Sequence, residues 1–117
     1  MLRLAETHDE ISVVNDQIGS PTNTHDLSKL LVDMSETKKY GVYHATNEGY
    51  CSWYEFACEI FKIAGKQVKV NGIPTSEYPT KAVRPLNSRM SKKELDENKF
   101  SRLIDWKKSL CNYLSDL

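Results

Sequence analysis

Short runs of β-branched and aromatic residues alternate along this chain with stretches whose apolar side chains recur every three to four positions. That alternation constrains the fold more than any other feature. Met1, Leu4, Ala5 and His8 fall at helical spacing with no capping residue before them. Residues 11–15 (ISVVN) read as a strand, broken by residues 16–22 with Gly19 and Pro21 as turn punctuation. Thr24 is the expected N-cap of a helix with Asp26 in its first turn and an apolar stripe of Leu27, Leu30, Leu31 and Met34. Residues 41–47 (GVYHATN) read as a second strand turning at Glu48-Gly49, and residues 67–70 (QVKV) as a third.

Between those two strands lies the most fully specified element. Ser52 and Glu55 have capping-box spacing, Cys51 and Phe56 occupy the staple positions, and Gly65 supplies the stop. Trp53, Phe56, Ala57, Ile60, Phe61 and Ala64 line one face, and Trp53 is expected in the core. After residues 67–70 come Gly72-Ile73-Pro74 and a polar loop through Pro79 and Pro85. Ser91 and Glu94 then suggest a second capping box, stapled by Met90 and Leu95. Asp105 caps a last helix with Trp106, Leu110, Tyr113, Leu114 and Leu117 on its apolar face.

The fold class expected is therefore α/β with parallel pairing, about three strands and four to five helices. Two of the strands, in residues 13–15 and 42–45, are apolar runs of the kind buried on both faces. Three strands make a thin sheet. The uncapped first helix and that thin sheet lead to the expectation that residues 1–117 are one domain fragment of a longer protein.

The chain carries 16 basic and 16 acidic residues. Zero formal charge removes the electrostatic footprint of a nucleic-acid binder, while a local basic pocket for one anion stays open. No apolar run is long enough for a membrane span and no signal-peptide core opens the chain, so no membrane partner and a cytoplasmic location are expected. Cys51, Cys58 and Cys111 are odd in number and lack C-x-x-C spacing, so a disulfide framework or metal site is not expected. Glycines 19, 41, 49, 65 and 72 cannot make a dinucleotide fingerprint, and no tyrosine is followed four residues on by lysine. His8, His25 and His44 stand singly and read as surface or structural residues. No catalytic residue is expected in this chain.

Three stretches carry a resemblance: residues 13–22 (VVNDQIGSPT) with Asp26-Leu27, residues 41–47 with 51–57 (CSWYEFA), and residues 84–91 (RPLNSRMS) with the helix after them. In this order and spacing they resemble the C-terminal half of dTDP-4-dehydrorhamnose reductases, which are extended short-chain dehydrogenases. The resemblance implies an oxidoreductase in the full-length protein. That enzyme reduces the 4-keto group of dTDP-4-dehydro-L-rhamnose to give dTDP-L-rhamnose, with hydride from NADPH or NADH, for polysaccharide biosynthesis. It also implies that the cofactor-binding part is mostly missing here, that this fragment binds no cofactor, and that it is inactive alone. By resemblance Arg84 grips the substrate diphosphate, in keeping with the bidentate fit of guanidinium to phosphate. Asn87, Ser88 and Gln17 are the further candidate contacts to the dTDP-sugar, and Arg89 reads as surface. A non-catalytic regulatory or binding homologue of the same fold is the alternative. Strands without their neighbours predict self-association through open edges or apolar faces.

Overall fold

The computed structural model describes residues 1–117, and its contacts gather into two compact units. The first comprises residues 1–19 and 51–88 with Leu117; the second comprises residues 20–50 and 89–116. The construction is α/β, as expected; two of the three strands read from the sequence form with shifted bounds, and the third, residues 41–47, does not.

In the first unit, β1 (Glu10–Val14) pairs in parallel with β4 (Lys69–Ile73), with Val14 opposite Ile73. Val13 and Val14 are both buried, which fits an apolar run covered on two sides. Two further strands of two residues each, β2 (Ile18–Gly19) and β3 (Cys51–Ser52), pair antiparallel. They lie in stretches read from the sequence as a turn and as a helix start. β4 begins two residues later than the QVKV run suggested and takes in Gly72 and Ile73. Gly72 belongs there for a steric reason: a Cβ would come within 2.7 Å of the Asn15 amide nitrogen.

The helix α3 (Trp53–Ala64) covers this unit, burying Ala57, Ile60 and Phe61. Its capping box forms as expected: Glu55 N–H donates to Ser52 Oγ at 3.1 Å and Ser52 N–H donates to Glu55 Oε2 at 3.0 Å. Gly65 ends it at φ +65°, the left-handed conformation glycine adopts without a Cβ penalty. Trp53 departs from expectation. It stands at the N-terminal limit of the apolar stripe, beyond the reach of the core, and is 55% exposed. The short α1 (Leu2–Ala5) has no side-chain cap.

The second unit is helical: α2 (Thr24–Ser35), α4 (Lys93–Glu97) and α5 (Trp106–Ser115). Leu30, Leu95 and Leu103 form its apolar centre, with Leu27, Met34, Tyr43, Ala45 and Phe100 packed around them. Leu31, placed on the apolar stripe of α2, is instead exposed. The cap of α2 is Asn23 rather than Thr24, since Asn23 Oδ1 accepts from His25 N–H at 2.9 Å. Ser91 makes no capping box: α4 starts at Lys93, one residue too late, and Ser91 Oγ takes only the Lys93 N–H at 3.3 Å. Asp105 does cap α5, through Lys107 N–H at 2.9 Å, and Trp106 and Leu110 are buried; Tyr113 and Leu117 are exposed.

Residues 41–47 are not a strand. Tyr43 and Ala45 turn inward onto the leucine cluster while Val42 is exposed, so the segment alternates like a strand but joins no ladder. Its last residue is the one firmly held. Asn47 is fully buried; its Oδ1 accepts from Asn23 N–H at 2.8 Å, and its Nδ2 donates to Asp26 Oδ2 at 2.9 Å and to the Ile104 carbonyl at 3.0 Å. Ser109 Oγ donates to the same Asp26 oxygen. Burial works to raise the Asp26 pKa, but the Ser109 and Asn47 hydrogen bonds, with Lys29 and His25 nearby, outweigh it and hold the carboxyl below its usual range.

Candidate functional site

In parallel sheets, ligands bind beyond the carboxyl ends of the strands. β1 and β4 end together at Val14 and Ile73, and the chain leaves both ends into loops that hold every site residue the sequence suggested. Asn15 N–H extends the ladder to the Ile73 carbonyl at 2.9 Å. The next contact is made by side chains. Both Asp16 carboxylate oxygens accept from Thr75 N–H, at 3.0 and 3.1 Å, and Oδ1 also accepts from Thr75 Oγ1 at 2.5 Å. The Thr75 hydroxyl and amide together hold the Asp16 carboxyl below its ordinary pKa.

Gln17 sits here as expected, but its amide nitrogen is engaged within the protein: Nε2 donates to Thr75 Oγ1 at 3.2 Å. The side chain thus braces the loop start.

One residue further on, Ile18 is paired on both sides. Through β2 it faces Ser52, and on its other flank it bridges Asn87 in parallel. Ile18 N–H donates to the Leu86 carbonyl and Ser88 N–H to the Ile18 carbonyl, both at 2.9 Å, and Ser88 Oγ reaches the same carbonyl at 3.2 Å. Gly19 is needed at this seam, because a Cβ there would come within 2.5 Å of Ser88 Oγ. Asn87 and Ser88 are exposed on this ladder. The structure therefore brings Gln17, Asn87 and Ser88 together around Ile18.

Arg84 lies in the same loop, three residues before Asn87, exposed and without an acidic partner. Arg84 precedes Pro85, so the ring clash with proline keeps its backbone extended. A guanidinium without an acidic partner, on a loop beyond strand ends, suits a phosphorylated ligand. Arg89, read as surface, is exposed with its guanidinium 5.6 Å from the Tyr50 ring centroid in the second unit.

Two features of the site had no counterpart in the sequence reading. Asp16 and Thr75 were punctuation and loop, although their contact organises the strand ends. The loop is also basic: Lys81 and Arg84 fall between Tyr78 and Ser88 with no acid among them. A windowed charge count would have exposed that run despite the zero total.

Comparison with known proteins follows the same lines. The family model for the RmlD substrate binding domain matches residues 1–117. The spore coat polysaccharide biosynthesis protein SpsK of Bacillus subtilis (strain 168) is 40% identical over 116 residues, covering 99% of this chain and 40% of that protein. The crystal structure of a dTDP-4-dehydrorhamnose reductase from Clostridium acetobutylicum ATCC 824 superposes with a TM-score of 0.94 at 41% identity, over 97% of this chain and 41% of that one. A dTDP-4-dehydrorhamnose reductase from Bacillus anthracis str. Ames, solved in complex with NADP, gives 0.93 at 39% identity, over 98% of this chain and 40% of that one. The chain thus spans about two-fifths of the length of the relatives it matches.

Proposed function

The chain belongs to the RmlD substrate-binding domain family, and from that premise we propose that residues 1–117 are the dTDP-sugar-binding side of a dTDP-4-dehydrorhamnose reductase of the extended short-chain dehydrogenase type. In the complete enzyme the reaction is reduction of dTDP-4-dehydro-L-rhamnose to dTDP-L-rhamnose. The observation that carries the reading is the placement of Arg84: exposed, without an acidic partner, on a loop tied to the carboxyl ends of a parallel strand pair.

Arg84 takes the diphosphate of the sugar nucleotide through two parallel N–H donors, a geometry lysine cannot reproduce. Asn87 and Ser88, held on the Ile18 ladder, flank the ligand from the loop, and Ser88 Oγ, whose proton goes to Ile18, can accept from a sugar hydroxyl. Gln17 contributes through the loop it braces. The role of these residues is to bind and orient, so that a keto carbon is presented in one attitude to a hydride donor.

The residues of this chain do not fit the dinucleotide that supplies the hydride. A pyrophosphate needs a glycine-rich turn between a strand and a helix. The one glycine between β1 and α2, Gly19, is already packed against Ser88. The nicotinamide cofactor, NADPH or NADH, is therefore held by other parts of the enzyme, and the 117-residue chain alone is inactive. β1 and β4 have one ladder partner each, and Tyr40 and Val42 are exposed, so the isolated chain self-associates.

Isothermal titration of dTDP into the chain tests the reading. Saturable binding that Arg84→Ala weakens at least tenfold, with no heat from thymidine at the same concentrations, is the expected result. No binding of dTDP, or binding indifferent to Arg84→Ala, removes it and favours a homologue of the same fold that acts through other partners.

A further inference from the structure

We infer that Asp16, Gln17 and Thr75 are positioning residues: a hydrogen-bonded clasp that sets where the Arg84 loop stands, without touching ligand. The inference rests on the ligand reading above. Residues 76–85 are exposed throughout, so nothing packed beneath them fixes their course. What fixes it is the attachment of both loop ends to one stretch, Asp16–Gly19. The near end is Thr75, held by Asp16 and Gln17. The far end is Leu86 to Ser88, held by the Ile18 backbone and seated against Gly19.

Both donors of Thr75, its amide and its single hydroxyl proton, are committed to Asp16, and a hydroxyl lone pair receives the Gln17 amide. The chain Gln17 to Thr75 to Asp16 therefore has one direction and tolerates no substitute that lacks a hydroxyl at position 75. A turn of 3₁₀ helix at Thr75–Glu77 then sends the loop outward, and Pro79 and Pro85 stiffen it. With both ends pinned, the conformational freedom removed from Arg84 before binding need not be removed on binding. Misplacing a catalytic group by about 1 Å can cost on the order of a hundredfold in rate, and a displaced binding group loses affinity for the same geometric reason.

The test uses Thr75→Val, which removes the hydroxyl at nearly constant volume, and Thr75→Ser, which restores it. The probes are dTDP affinity by calorimetry, the urea midpoint, and the amide chemical shifts of residues 84, 87 and 88 without ligand. The expected result for Thr75→Val is a loss of dTDP affinity between about tenfold and a hundredfold, with shifted amides at those three positions. Thr75→Ser restores both. Equal affinity for Thr75→Val and the unmodified chain overturns the clasp, as does a loss that Thr75→Ser fails to restore. If the unmodified chain binds no dTDP, the functional reading falls by itself. The ligand-free spectra then decide the clasp: amides that move at residues 84, 87 and 88 in Thr75→Val uphold it, and amides that stay put overturn it.

Discussion

The two units treat their polar side chains in opposite ways. In the second, polar groups answer one another, at the buried Asn47 and at the surface around Arg102 alike. Asn47 satisfies an amide, a carboxylate and a carbonyl, and Arg102 binds Asp96 through Nε and Nη2 at 2.9 and 2.6 Å while its Nη1 lies 3.3 Å from Glu48. In the first, the polar groups at the strand ends split into two sets. Asp16, Gln17 and Thr75 are mutually engaged, whereas Arg84 stands exposed on the loop they anchor with no acidic partner. Polar groups that hold the fold meet one another, whereas Arg84 keeps its charge at the surface.

Substitutions should separate the two kinds of polar residue. Asn47→Ala strands the Asn23 amide and the Ile104 carbonyl in a buried site, and a cost of about 3 kcal/mol is expected from urea unfolding. A cost below about 1 kcal/mol would mean water replaces the side chain readily and the contrast is overdrawn. Trp53→Ala, at a position the sequence placed in the core, should cost no more than about 1 kcal/mol because the indole is already largely in water. Arg84→Ala should leave stability within about 0.5 kcal/mol while removing dTDP affinity.

Acid sharpens the same comparison. The Asp26 carboxyl is held below its unfolded value, so its stabilising share is fully present above that value, near pH ~4, and disappears as pH falls through the lowered folded value. Unfolding followed from pH 6 to pH 2 should show a loss of stability below about pH 4 that is smaller in Asp26→Asn. An identical acid limb in both proteins would place the titrating group elsewhere.

The sequence was most readable where one element carries several agreeing signals. In α3, a capping box, a staple, a 3.6-residue stripe and a terminal glycine all point the same way. Misreadings fall where a local pattern needs a distant partner to become structure. Residues 41–47 alternate as a strand does, yet no neighbouring strand meets them. β2 and β3, at two residues each, are too short to carry any period. Ser91 and Glu94 have capping-box spacing, but the helix that would use it starts one residue late. The site was hardest to read from residue pattern, because loops carry no periodicity. Arg84 entered by resemblance, and Asp16 with Thr75 emerged only once β1 and β4 were seen to end side by side.

On the proposed reading, the chain binds a dTDP-sugar at the strand ends of its first unit. Chemical-shift mapping of the isotope-labelled chain during titration with dTDP tests it most directly. Saturable shifts confined to residues 16–19 and 75–88 are expected, with the amides around Asn47 and Asp26 unmoved. Shifts concentrated in the second unit, or none at saturating dTDP, would contradict it.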